Sequence, residues 1–118
     1  MINTRLKSLI EKNALAFATV DGKGNPNVIG VAFVKVVSKN QILISNNYMK
    51  QTIDNIKKNN NVCLAVWDKN WHGYKLIGKT KYFTSGKWKK FVEDMPENKG
   101  YPAKGAIVVT IKKIKKLA

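Results

Sequence analysis

The residues best suited to hold an anion lie in one stretch, 42–55, which reads ILISNNYMKQTIDN. The pattern predicts a short strand, a turn, and an amphipathic helix over 48–58 with Asn47 as its N-cap. The free N–H groups of a first helical turn carry the positive end of the helix dipole and form a site for an anion. A cation, an amide and a hydroxyl follow at once, all able to hold a phosphate oxygen: Lys50, Gln51 and Thr52. The same pattern also fits an ordinary capped helix after a strand.

The chain has few other groups for chemistry of its own. Its one His, one Cys and seven carboxylates show none of the paired spacing that hydrolytic enzymes need. No His/Cys cluster fits a zinc site, and we expect no metal. We expect His72 at the surface of a polar loop and Cys63 as a small buried hydrophobe in a strand. A catalyst with so few titratable groups takes its chemistry from a cofactor, and the anion site predicts that this cofactor carries a phosphate.

The charge of the chain is strongly positive. There are 22 Lys and Arg residues against 7 Asp and Glu, which gives a net charge of +15 over 118 residues. Such a balance favours anionic partners, but almost all the positive residues are lysines, with Arg5 as the arginine. Since base readout and bidentate phosphate contacts usually recruit arginine, we expect no nucleic-acid partner from the charge alone.

Length and composition indicate one domain over 1–118, with 44% hydrophobic residues, enough for a core of its own. No apolar run approaches the roughly 20 residues that cross a bilayer, so we expect no membrane association. A single thiol forms no internal disulfide, and we therefore expect a cytoplasmic protein.

The hydrophobic periodicity predicts six short strands and three helices. A helix is expected over 4–12, and one long strand over 27–38 carries Gly30 as a bulge or a point of close approach. The first three strands, joined by short turns, are expected to form an antiparallel meander. The last strand is expected over 106–111, followed by a lysine tail. These elements suit a small antiparallel barrel with helices outside it.

A group of three aromatic residues favours a different function. Trp67, Trp71 and Tyr74 could form a stacking platform for bases or for another flat ring. With the lysines, they would make the chain a basic nucleic-acid-binding barrel. Aromatic packing around a barrel rim explains the same residues equally well.

The order of these pieces resembles a known family. The pieces are ALAFATVDGKGNPNVIGVAFV, QILISNNYMKQTIDNIKKNNNVCLAVWD, YKLIGKTKYFTSG and YPAKGAIVVTI, which together run from Ala14 to Ile111. They resemble the FMN-binding split β-barrels of the pyridoxamine 5′-phosphate oxidase-like family, and the small FMN-binding proteins above all. The resemblance implies a mainly β, α+β fold: a six-stranded antiparallel split β-barrel with short flanking helices. It also implies noncovalent FMN at a homodimer interface.

The resemblance also assigns the parts of the site. In the family the FMN phosphate rests at the start of the helix after the third strand, where a basic residue lies four positions before an Asn and a Thr or Val follows it. Here Asn55 matches the Asn and Thr52 the Thr, but Gln51 stands at the basic position and Lys50 comes one residue early. The second strand would run along the isoalloxazine ring with Ile29, Gly30, Val31 and Ala32. The end of the third strand would line the ring and the ribityl chain with Ser45, Asn46 and Asn47. The partner's closing segment would cover the flavin with the residues that match Pro102, Ala103 and Lys104.

The reaction implied is electron or hydride transfer through the flavin. The family includes oxidases, reductases and plain flavin-binding proteins, so a small oxidoreductase and an electron carrier both stay open. Because Gln51 replaces the basic residue, a relative that uses a deazaflavin or haem, or that has lost its flavin, also stays open.

Overall fold

The structure is a computed structural model that describes residues 1–117, with three α-helices, seven β-strands and one short 3-10 helix in that part of the chain. The helices are Thr4–Lys12 (α1), Gln51–Lys58 (α2) and Gly86–Asp94 (α3), and the 3-10 helix is Pro96–Asn98. The strands are Leu15–Val20 (β1), Pro26–Val31 (β2), Lys35–Ser38 (β3), Gln41–Asn46 (β4), Asn61–Trp67 (β5), Gly73–Phe83 (β6) and Gly105–Lys116 (β7). The mainly β class with short helices agrees with the sequence prediction, but the strand count of six is wrong.

All seven strands form one antiparallel sheet in the order β2-β1-β5-β6-β7-β4-β3. The predicted meander is therefore wrong, because β2 and β3 lie at opposite edges of the sheet. Residues 32–34 alone connect these edges, and such a link spans at most about 14 Å. The sheet must therefore curl until its two edges come close to each other at residues 32–34. No ladder joins the two edge strands, so the rolled sheet is not closed.

The break between β2 and β3 has a local cause. Phe33 adopts a φ of 58°, a left-handed conformation that no residue of a regular strand can keep. Val34 then turns back into the core, where it is fully buried. Gly30 is not a bulge, since it pairs in regular register opposite Ala16. A Cβ at Gly30 would meet no atom within 4 Å, so one side of its backbone is open.

The core fills the inside of the curled sheet with alternate strand residues. Phe17, Leu64 and Leu76 from three neighbouring strands are all fully buried there. α1 covers the same core with Leu6 and Ile10, which share one helix face because they lie one turn apart. A smaller cluster packs α3 on the outer face of the sheet and contains Leu43, Val92, Met95, Ala103, Ala106 and Val108.

β7 runs further than the sequence predicted, because the lysine tail continues the strand to Lys116. β6 extends far enough to pair with it, and the register places Ile114 opposite the buried Leu76. Pairing with a long neighbour therefore outweighs the run of charged residues.

No helix among residues 1–117 is long and apolar enough to cross a membrane.

Gly78 is expected to be essential for stability. The register between β6 and β7 shifts between Ile77 and Gly78, and a Cβ at Gly78 would lie 2.2 Å from the Thr110 carbonyl oxygen. Because backbone cannot move aside cheaply, Gly78→Ala should lower the free energy of unfolding by about 1–3 kcal/mol, as overpacking does. Urea unfolding measures this. Gly30→Ala is the matched control and should change the unfolding midpoint little; equal midpoints for the two variants would contradict the clash.

Candidate functional site

A cavity of about 440 Å³ opens where β2, the end of β4, the start of α2 and residues 98–101 meet. The structure brings nine of the residues proposed from the sequence to its lining: Ile29, Gly30, Val31, Ala32, Ser45, Asn47, Lys50, Gln51 and Thr52. Sequence reasoning missed six further lining residues: Asn27, Phe33, Tyr48, Met49, Asn98 and Tyr101.

α2 begins at Gln51, three residues later than predicted, and Asn47 is not its N-cap. Lys50 occupies the cap position without a side-chain cap bond. The reason lies in the preceding turn, where Asn46 Oδ1 accepts the Met49 N–H at 2.9 Å and stabilises a non-helical bend. Within residues 1–117, the N–H groups at 51–53 make no hydrogen bond, so the positive end of the helix opens into the cavity uncapped.

Gln51 and Asn55 form a polar chain beneath the start of α2. The Gln51 side-chain amide donates to Asn55 Oδ1 at 2.7 Å, and Asn55 Nδ2 donates to Thr19 Oγ1 at 2.9 Å. Asn55 is buried and does not line the cavity. Asn55 thus anchors α2 to β1. It also accepts the hydrogen bond of the Gln51 amide, so the Gln51 side chain lies along the helix.

Lys50 supplies the positive charge of the cavity. It is the one lysine or arginine on the lining, and no Asp or Glu lies there among the described residues. Its ammonium makes no ion pair with any carboxylate of residues 1–117. Beside it, the buried Thr52 places its hydroxyl 3.5 Å from the side-chain nitrogen of Asn27. The cavity therefore favours an anion at the α2 end.

Asn47 holds one wall of the cavity together. Its Oδ1 accepts from the Ser45 hydroxyl at 2.9 Å and from the Ala103 N–H at 3.1 Å, while its Nδ2 donates to Asn98 Oδ1 at 3.0 Å. The buried Asn98 donates in turn to the Val92 carbonyl at 2.8 Å. One amide thus ties the end of β4 to the segment after α3, which explains an asparagine here without a capping role.

Five residues proposed from the sequence lie outside the lining. Asn46 is buried and donates to the Tyr82 hydroxyl at 2.8 Å. The Lys104 N–H donates to the Asn46 carbonyl at 2.8 Å, so the closing segment packs on its own β4. The remaining three are Asn55, which lies beneath the helix, the exposed Pro102 and the buried Ala103. A contact of this segment with a partner's flavin stays a prediction.

Three aromatic rings surround the mouth of the cavity. Phe33, Tyr48 and Tyr101 are 49%, 68% and 51% exposed, and the two tyrosine rings meet edge to face with centroids 6.3 Å apart. The sequence prediction placed Phe33 within a strand and Tyr48 within a helix, so it did not mark these rings as ligand contacts. Single exposed aromatics are common on proteins, but three around one opening suit a flat ligand.

The other candidate residues do not join this site. Trp67 stacks on Trp71 with centroids 6.0 Å apart and 11° between the rings, but Tyr74 pairs with Val66 and so points toward the inner side of the sheet. The three rings therefore form no common platform. His72 is exposed, as predicted, whereas Cys63 is only half-buried, and burial raises the pKa of its thiol despite the charge of Lys75.

Nearly the whole chain matches a known sequence family. The profile described as "Pyridoxamine 5'-phosphate oxidase" matches residues 2–118. The chain belongs to the pyridoxamine 5′-phosphate oxidase family. One relative, an uncharacterized protein of Methanocaldococcus jannaschii, is 31% identical over 113 residues, which cover 92% of this chain and 75% of that protein.

Solved structures show the same fold across the family and its neighbours. HupZ of Group A Streptococcus is 25% identical with a TM-score of 0.89, over 99% of this chain and 94% of that chain. An FMN-binding protein of Syntrophomonas wolfei is 21% identical with a TM-score of 0.80, over 95% and 83% of the two chains. An F420 reductase is 20% identical with a TM-score of 0.73, over 92% and 94%. An FMN-binding protein and an F420 reductase thus share this fold, so the fold by itself does not select FMN.

Proposed function

We propose that this member of the family is a cytoplasmic flavoprotein that binds FMN noncovalently in the cavity at the start of α2. The observation that carries the proposal is the uncapped first turn of α2, which opens into the cavity beside Lys50 and Thr52. Free N–H groups, a lysine and a hydroxyl are together a donor set for a phosphate. The cavity volume of about 440 Å³ lies within the range of about 300–1,000 Å³ usual for ligand sites.

The rest of the cavity suits the ring system of the flavin. Strand β2 presents the open backbone at Gly30, where N–H and C=O groups can meet the edge of the isoalloxazine. Ile29 and Val31 alternate with it and give an apolar surface, and Ser45 offers a hydroxyl to the ribityl chain. When bound, FMN supplies electron or hydride transfer, as an oxidoreductase or as a carrier. The protein's own residues hold the phosphate and orient the ring.

A homodimer is the second part of the proposal. The outer face of β2, β1 and β5 carries short side chains in register: Gly30, Ala16 and Ala65 in one row, and Val28, Ala18 and Cys63 in the next. Val28 is 64% exposed on this face, a large fraction for a valine. Short side chains allow the sheet of a second copy to approach closely. Since Gly30 borders both this face and the cavity, a second copy seated here would lie beside the flavin.

The absorption spectrum of the purified protein tests the cofactor. Protein as purified, or after incubation with FMN, should show a flavin spectrum and quenched flavin fluorescence, and FMN should be the molecule released on denaturation. A deazaflavin is the second candidate, because one structural neighbour is an F420 reductase. Release of a deazaflavin or haem, or no uptake of FMN at micromolar concentration, would contradict the proposal.

Substitutions at the start of α2 should locate the phosphate. Lys50→Ala should weaken FMN binding by about 1–3 kcal/mol, because a charge-assisted contact to the phosphate is lost. Thr52→Ala should weaken it by about 1 kcal/mol through the lost hydroxyl bond. Gln51→Ala is the matched control and should cost less than Lys50→Ala, since its amide already donates to Asn55. Titration with FMN at one salt concentration measures all three.

Gln51→Lys restores the residue type that the family places at the basic position. We expect it to tighten FMN binding or leave it unchanged. If Lys50→Ala and Thr52→Ala both bind FMN like the parent protein, the phosphate is held elsewhere and this placement of the cofactor is wrong.

A further inference from the structure

A second cavity, of about 940 Å³, lies between α1, the loop at 68–72 and the paired ends of β6 and β7. It shares no lining residue with the cavity at α2. Its lining is mixed: Leu6 and Leu9 from α1 and Ile114 from β7 give an apolar part, and polar residues of α1 and of the loop surround it. The proposed flavin site leaves this cavity without a role.

The edge of the second cavity is cationic. Arg5 and Lys12 both line it, and they are two helical turns apart on the same face of α1, about 10 Å along its axis. Leu9 lies between them on that face. Neither cation makes an ion pair within 4 Å to a carboxylate of residues 1–117. Within residues 1–117, two cations without an ion pair thus flank Leu9 on this face of α1.

Asp68 is the one carboxylate on this lining among residues 1–117, and it already accepts hydrogen bonds from its own loop. Its Oδ1 accepts the Asn70 N–H at 2.8 Å and the His72 N–H at 3.1 Å. Burial acts to raise the pKa of Asp68, but these hydrogen bonds and the charges of His72 and Arg5 lower it overall. The carboxylate therefore fixes the shape of the opposite wall and does not cancel both cations of α1.

We propose that this cavity binds an organic anion with an apolar ring or chain. Its acidic group lies between Arg5 and Lys12, and its apolar part packs on Leu9 and Ile114. Apolar burial and charge contacts act together, so the cavity discriminates against simple inorganic anions. The proposal is independent of FMN, because the two cavities have no residue in common.

The fluorescent probe 8-anilinonaphthalene-1-sulfonate, a sulfonate on an apolar ring system, tests this site. Titration of the folded protein, with and without FMN, should give saturable binding of one probe per chain that FMN does not displace. Arg5→Gln and Lys12→Gln should each weaken the probe about tenfold, since each removes a charge-assisted contact. Lys7→Gln is the matched control, because Lys7 is an exposed lysine of the same helix that does not line the cavity.

Competition separates the possible forms of the ligand. Decanoate and 1-naphthoate should displace the probe, and the stronger competitor tells whether a chain or a ring fits better. Three results would overturn the proposal: displacement by FMN, equal weakening in Lys7→Gln, or displacement by inorganic phosphate as effective as that by the organic anions. Thermal unfolding of each variant confirms that the fold is kept.

Discussion

FMN is expected to bind about 30- to 1,000-fold more tightly than riboflavin. The two molecules differ by the phosphate, and the structure offers that group the uncapped N–H groups at 51–53, the Thr52 hydroxyl and the unpaired ammonium of Lys50. Two or more hydrogen bonds to a charged group, at about 1.5–3 kcal/mol each before losses, account for a difference of about 2–4 kcal/mol. Parallel fluorescence titrations of one protein preparation with FMN and riboflavin measure the ratio.

Lys50→Ala provides the internal control for this comparison. It should weaken FMN and leave riboflavin almost unchanged, so that the ratio between the two ligands falls. Equal affinity of the parent protein for FMN and riboflavin would contradict a phosphate site at the start of α2, even if a flavin binds. A ratio that stays the same in Lys50→Ala would show that the lysine does not contact the phosphate.

Ala65→Arg is expected to convert the proposed dimer into a monomer. Ala65 is half-buried in the small-residue face, where it lies opposite Ala16 on one side and Lys75 on the other. In a symmetric interface the change places two new charges in the contact, and like-charge juxtaposition costs several kcal/mol. Sedimentation should give about twice the chain mass of 13.3 kDa for the parent protein and that mass itself for the variant. FMN binding should weaken in the same variant, since the site would lose its cover.

Ala65→Ser separates charge from mere substitution at the same position. It adds one small polar atom and should keep both the dimer and the FMN affinity. A parent protein that is a clean monomer and still binds FMN would contradict a site shared between subunits. A stable Ala65→Arg dimer would place the interface on another face of the sheet.

Local patterns in the sequence were enough for several elements. The helix at 4–12 was predicted with its observed bounds, because Leu6 and Ile10 show helical spacing. The family membership also followed from the order of the pieces along the chain, and the profile match over 2–118 confirms it. The cation, amide and hydroxyl at residues 50–52 were also predicted as anion-binding groups, since residue type alone determines these groups.

Contacts between distant segments decided the rest. No local pattern tells that β2 and β3 lie at opposite edges of one sheet, because strand order depends on pairings of residues far apart in the chain. The sequence predicts Asn47 as a helix cap, but its side chain is hydrogen-bonded instead to Ala103 and Asn98, which are more than fifty residues away. Asn55 lies beneath the helix for the same reason, since it donates to Thr19 in β1. The later start of α2 has a local cause, the bond from the Met49 N–H to Asn46 Oδ1. The sequence by itself therefore determined which groups could hold an anion, whereas only the tertiary structure decided which of them face a common cavity, because hydrogen bonds and packing between segments orient each side chain.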